Sequence, residues 1–82
     1  MISEERAKLN ISENLRRLMD EMGITQMQLA ERANVSQPFV HKMLHGKAIP
    51  SSLALHNVAE VFGVSSDAII GNPPEKISVK SA

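Results

Sequence analysis

Two helix starts follow each other so closely in this sequence that only one short helix and a tight turn fit between them. Thr25 marks the first start as an N-cap, and Gln28, three positions later, completes the pattern of a capping box. Ser36 marks the second start. Asn34 lies just before it, and Asn is, after Gly, the residue that best tolerates the left-handed backbone conformation of a helix end. This spacing restricts the chain to two short helices that meet at a sharp turn.

Both starts also carry an apolar pair that flanks the cap as a hydrophobic staple. The pairs are Ile24 with Leu29 and Val35 with Val40. Pro38 falls in the first turn of the second helix, where its missing N–H would have had no partner. The sequence therefore predicts helices over Thr25–Ala33 and Ser36–Leu44, with Gly46 closing the second.

Similar signals place three more helices around this pair. All three stop at glycines: the first runs from the capping residue Asn10 to Gly23, the next from the capping residue Ser51 to Gly63, and the last from Val64-Ser65 to Gly71. We predict an all-α, compact five-helix bundle over residues 11–71, with an N-terminal arm over 1–10 and a flexible, polar C-terminal tail over 72–82. A short strand at Ile77–Val79 is the alternative for the tail.

The composition argues against several classes of function. With 82 residues the chain has the length of one domain, and without Cys it has no disulfide and no thiolate metal site. Aromatic residues make up 2% of the sequence, too few for an RNA-binding sheet that stacks bases. No apolar run approaches the roughly 20 residues that cross a bilayer, and the N-terminus is acidic where a signal peptide would be basic. We expect a cytoplasmic protein that does not contact a membrane.

Charge is balanced in total but not along the chain. Nine Lys and Arg residues oppose nine Asp and Glu residues, so the formal net charge is zero. No Asp or Glu occurs from Arg32 to Ala59, whereas Arg32, Lys42, Lys47 and all three His lie within that stretch. One face of a neutral molecule can therefore be positive and attract a polyanion.

The sequence lacks the common residue patterns of catalysis. It contains no Gly-rich phosphate loop, no nucleophile elbow and no Cys nucleophile. His41 and His45 have the i, i+4 spacing of a metal-binding pair, but Lys42 stands where the zinc-peptidase pattern needs Glu. We expect no enzyme activity, no metal, no cofactor and no small-molecule ligand.

The two short helices and their flanks resemble the Cro/repressor-type family of helix-turn-helix regulators, which is lambda-repressor-like or Xre-type. The residues that carry the resemblance are Ile24-Thr25-Gln26-x-x-Leu29-Ala30, Asn34-Val35-Ser36-Gln37, Val40, Gly46-Lys47, Pro50, Val58-Ala59 and Gly63-Val64-Ser65. The resemblance covers roughly residues 11–70. It implies a five-helix domain whose third helix reads DNA, a phosphate contact from Gln26, and a dimer formed through the C-terminal helices on palindromic half-sites.

The third helix supplies most of the predicted DNA contacts. Gln37, the first residue inside it, points toward base edges, where its amide can pair with adenine. Phe39 is expected on the outward side, where its ring would meet thymine methyls, unless it folds back on its own domain. His41 and Lys42 are expected at bases or phosphates, and Lys47 at the DNA backbone. The complete predicted interface is Gln26, Ser36, Gln37, Pro38, Phe39, His41, Lys42, His45 and Lys47.

Three apolar residues exceed what the core needs and predict a dimer interface, with local burial as the alternative. They are Leu53, Ile69 and Ile70. The sequence thus predicts a sequence-specific regulator that binds double-stranded DNA as a homodimer and acts as a repressor. Two other functions stay open: an antitoxin whose tail, Glu75–Ala82, holds a toxin, and a helix-turn-helix module that binds protein instead of DNA. The acid-free stretch counts against the second of these.

Overall fold

Five helices joined by short turns make up residues 1–74, the part of the chain that the structure, a computed structural model, describes. They are α1 (Glu4–Met22), α2 (Gln26–Ala33), α3 (Gln37–Leu44), α4 (Ser52–Phe62) and α5 (Asp67–Ile70). The predicted all-α bundle of five helices is confirmed, and residues 1–74 contain no β-strand. The tail segment Glu75–Ala82, with its alternative strand at Ile77–Val79, lies outside the described residues. Within residues 1–74, no helix is long and apolar enough to cross a membrane.

The first helix begins earlier than the sequence predicted. Its N-cap is Ser3, whose Oγ accepts a hydrogen bond from the Arg6 N–H at 3.0 Å. Two glutamates occupy the first turn, where carboxylates interact favourably with the helix dipole. Asn10 lies fully buried in the middle of α1 instead of at its start. The arm predicted over residues 1–10 is therefore wrong from residue 4 onward, because a local capping pattern does not reveal that Asn10 packs against the far end of the chain.

The turns predicted around α2 and α3 are confirmed. The Thr25 N–H donates to the Gln28 Oε1 at 3.0 Å, and the Gln28 N–H donates to the Thr25 Oγ1 at 3.1 Å, so the capping box is complete. Asn34 ends α2 in the left-handed conformation, with a φ of 58°. Ser36 caps α3, because its Oγ accepts a hydrogen bond from the Phe39 N–H at 3.1 Å. These local bonds fix the end of α2 and the start of α3 on either side of a short turn.

The core lies between the apolar faces of the helices. α1 packs against α3 and α5, and α2 packs against α3 and α4. The large apolar side chains with no exposed surface are Ile11, Leu15, Leu29, Val40, Met43, Val58 and Ile69. Full burial of a side chain of this size contributes about 1.5–3 kcal/mol. The core therefore extends from α1 to the last helix of the domain.

Two buried asparagines of α1 hold the end of α5. The Asn14 Nδ2 donates to the carbonyls of Ile69 and Gly71 at 2.7 and 2.9 Å. The Asn10 Nδ2 donates to the carbonyl of Ile70 at 3.1 Å. The last carbonyls of a helix have no partner within the helix. These amides supply that partner, and so they attach the short α5 to the longest helix of the bundle.

Candidate nucleic-acid interface

α3 presents one face to the core and the opposite face to solvent. Val40, Met43 and Leu44 are buried. The exposed side chains are Gln37, Pro38, His41 and Lys42. This division follows from the helical period, since residues three and four positions apart share a face. Because α1 and α2 both pack against α3, the exposed face belongs to a short helix whose back is fixed in the core.

The first turn of α3 is built on a constrained backbone. Ser36 uses its Oγ as the cap for the Phe39 N–H, and Pro38 restricts its own φ at the start of the helix. Gln37 lies between these two residues and is exposed. Its side chain therefore extends into solvent from a rigid part of the helix N-terminus.

The structure corrects the predicted environment of Phe39. The ring was expected on the outward side of α3, but it is half-buried and packs against the core. Phe39 lies four positions before the buried Met43, so the two side chains share one side of the helix. The alternative of a ring folded back on its own domain is the closer description, although part of the ring stays accessible beside Gln37 and Pro38.

The C-terminal end of α3 collects four exposed basic or titratable side chains. His45 is the C-cap, and its Nδ1 lies 2.8 Å from the His41 carbonyl oxygen. The two imidazole rings stack with centroids 4.0 Å apart and planes tilted by 32°. Lys47 follows, and its N–H donates to the Lys42 carbonyl at 2.9 Å. The described part of the chain contains no group of three or more His, Cys, Asp or Glu side chains that could hold a metal ion.

Gln26 lies at the start of α2, next to the end of α3. It is half-buried and follows the N-cap Thr25. Gln26, Thr25, Arg16 and Leu44 line the same open depression on the surface. A helix N-terminus attracts anions through its unpaired N–H groups and its dipole. The start of α2 and the C-terminal end of α3 thus meet at this depression, which Asp20 also lines.

The three residues predicted for a dimer interface have different environments. Leu53, at the start of α4, is 70% exposed. Ile70 is half-buried against the core. Ile69 is 0% exposed, so its assignment to the surface is wrong. The reason is the attachment of α5 to α1 by Asn14, which turns Ile69 into the bundle.

Sequence reasoning missed two polar residues of α1 that contact the end of α3. The Ser12 Oγ donates to the Leu44 carbonyl at 2.6 Å, and the Arg16 Nη2 donates to the same oxygen at 2.8 Å. Both lie next to the apolar positions Ile11 and Leu15 in the sequence. The i, i+4 spacing of Ser12 and Arg16 was the available signal, but the sequence does not reveal which helix end they meet.

A short α2, a turn at a left-handed residue and a short α3 with an exposed polar face define a helix-turn-helix domain within a five-helix bundle. The chain belongs to the helix-turn-helix family of the Xre/lambda-repressor-like type, whose family model matches residues 15–69. This is a family of DNA-binding transcription regulators. The resemblance in the sequence is thereby confirmed.

Three curated proteins illustrate the relationship. The chain is 30% identical over 63 residues to the immunity repressor protein of Bacillus phage phi105, covering 77% of this chain and 44% of that protein. It is 32% identical over 66 residues to an uncharacterized HTH-type transcriptional regulator of Coxiella burnetii, covering 79% of this chain and 31% of that protein. It is 31% identical over 55 residues to the HTH-type transcriptional regulator y4dJ of Sinorhizobium fredii, also uncharacterized, covering 67% of this chain and 71% of that protein.

The first two relatives are longer than the matched region, since the chain spans less than half of the length of each. No solved structure matches this chain significantly.

Proposed function

We propose that this chain is a repressor that binds a specific DNA operator as a homodimer, with α3 in the major groove. The observation that carries the proposal is the exposed face of α3, which combines amide, imidazole and ammonium groups and has no carboxylate within its sequence neighbourhood from Arg32 to Ala59. Amides and ammonium groups donate hydrogen bonds to base edges and phosphates, whereas carboxylates repel the DNA backbone. The repressor function is proposed from the name of the phage phi105 relative.

Each end of α3 has its own part in this interface. Gln37 and Pro38, at the first turn, would lie deepest in the groove and contact base edges, with Ser36 holding the start of the helix and the accessible part of Phe39 beside them. The exposed groups at the other end are suited to phosphate contacts that set the register on the duplex. Those groups are His41, Lys42, His45 and Lys47. Gln26 would bind a phosphate at the start of α2.

A dimer would give the interface enough contacts for specificity. One domain presents only a short reading helix, and two domains on a symmetric site add their interaction energies while largely avoiding a second translational and rotational cost. Within residues 42–74, Leu53 is the large apolar side chain that is mostly exposed and available for such a contact, and Ile70 is partly accessible. Two-fold symmetry of the dimer would be matched by a palindromic operator.

Selection of binding sites from random double-stranded DNA tests the proposal directly. The expected result is an enriched sequence with two-fold symmetry and half-site centres roughly 34–36 Å apart, one helical turn. Binding to mixed DNA at several salt concentrations separates this function from a protein-binding module. A DNA-binding protein loses affinity as salt rises, because phosphate contacts release counterions. Absence of any salt-dependent binding would contradict DNA recognition and favour the protein-binding module.

A further inference from the structure

We infer that Ser12 and Arg16 of α1 are positioning residues that set the orientation of α3, and thereby the sequence preference of the DNA interface. This inference rests on the proposed function. Ser12 is only 9% exposed, whereas Arg16 is exposed beside the start of α2. Ser12 therefore acts through α3 and not by contact with DNA.

The Leu44 carbonyl is the point at which both residues hold α3. The other carbonyls of the last turn accept bonds from the backbone: His41 and Lys42 from the His45 N–H, and Met43 from the Gly46 N–H. Leu44 instead receives its two hydrogen bonds from side chains of α1, at 2.6 and 2.8 Å. One of the two donors carries a positive charge, which the negative end of the helix dipole favours. The end of α3 is thus attached to α1 by a polar clamp that consists of Ser12, Arg16 and the Leu44 carbonyl.

The clamp lies at the opposite end of α3 from Gln37. At about 1.5 Å per residue, the two points are about 10 Å apart along the helix axis. A tilt of about 6° at the clamp therefore moves the backbone of Gln37 by about 1 Å. Directional recognition tolerates displacements of only about 0.5 Å. A small change at the clamp would consequently weaken base contacts while phosphate contacts, which adapt through flexible Lys side chains, would persist.

The test compares Ser12→Ala with Ser3→Ala in the full chain. Both variants remove a serine hydroxyl from α1, but Ser3 caps the start of that helix and has no bond to α3. We expect Ser12→Ala to lower affinity for the selected operator roughly two- to tenfold, the size of one lost hydrogen bond, and to leave affinity for scrambled DNA unchanged. Ser3→Ala should leave the ratio of the two affinities as in the wild type.

A second measurement reads the orientation of α3 without DNA. Residual dipolar couplings of the α3 amides, referred to those of α4, should change in Ser12→Ala and not in Ser3→Ala. Arg16→Met should change the couplings in the same direction as Ser12→Ala, and Arg16→Lys, which keeps a charged donor, should restore them at least in part.

The outcomes separate this inference from the proposed function. A wild-type chain with no preference between selected and scrambled DNA overturns the proposed function and the inference with it. A wild-type preference that Ser12→Ala leaves intact overturns the inference alone. Equal losses in Ser12→Ala and Ser3→Ala, in proportion to their loss of stability, would also overturn it, since the clamp would then be merely structural.

Discussion

The proposed role of Gln37 as a base-contacting residue depends on its neighbours in the chain. Ser36 fixes the helix start by capping the Phe39 N–H, and Pro38 restricts the next backbone dihedral. A side chain on such a backbone loses little further freedom when it binds, because only its own rotamers must be ordered. The exposed amide of Gln37 is therefore the side chain most suited to a directional contact on α3.

We expect Gln37→Ala to weaken binding to the selected operator by about 1–3 kcal/mol, the range of one bidentate base contact, and to leave non-specific binding nearly unchanged. Titrations with selected and scrambled DNA measure both quantities. Gln28→Ala is the matched control, because it removes an amide that serves the capping box of α2. That variant should lose stability and keep its specificity. Equal losses of Gln37→Ala on both DNAs would assign Gln37 to phosphate positioning.

Lys47, unlike Gln37, is expected to contribute to DNA binding without regard to sequence. It is exposed just after α3, and its backbone closes the last turn of that helix. A lysine at this place is suited to a phosphate, so Lys47→Ala should weaken binding to all sequences alike. The slope of log affinity against log salt should fall in magnitude by about one unit, as expected for one lost phosphate contact. A salt titration checks this, and an unchanged slope would exclude Lys47 from the interface.

At the scale of helices, the elements that local bonds define were predictable from the sequence. The cap at Thr25 and the turn at Asn34 depend on residues within a few positions, and both predictions are confirmed. Asn10 and Ile69 were misassigned because their environments depend on contacts across the whole chain: Asn10 bonds to the carbonyl of Ile70, and Ile69 is buried where α5 meets α1. A capping pattern or an apolar pair carries no information about such distant partners.

The turn between α2 and α3 gives a prediction at this scale. Asn34 has a φ of 58°, a region where a side chain with Cβ is strained. Asn34→Ala should lower the free energy of unfolding by about 1 kcal/mol, because alanine tolerates this region less well than asparagine. Asn34→Gly, which has no Cβ, should be as stable as the wild type or slightly more so. Urea unfolding of both variants measures the difference, and equal losses would show that the asparagine side chain itself holds the turn.

At the scale of the whole molecule, the proposed dimer needs an apolar surface that the fold leaves exposed. α5 is attached to α1 through Asn14, and its Ile69 completes the core. Leu53, in contrast, stands on the first turn of α4 with 70% of its surface exposed. We therefore propose the start of α4, and not the buried Ile69, as the surface for self-association.

Substitution by aspartate should therefore have different effects at Ile69 and at Leu53. Ile69→Asp should unfold the domain, because truncation of a buried Ile costs up to about 5 kcal/mol and a buried carboxylate must also be desolvated. Leu53→Asp should keep the helical content seen by circular dichroism but lower operator affinity about tenfold or more, since a dimer would have to desolvate the carboxylate. Ser52→Asp is the matched control: it adds the same charge one position away, at an exposed site where the dipole of α4 favours it. Sedimentation measures the oligomeric state of the three variants, and operator titration measures their affinity for DNA. If Ser52→Asp weakens operator binding as much as Leu53→Asp does, the added charge is responsible and not a lost apolar contact. That outcome would contradict the proposed dimer interface at the start of α4.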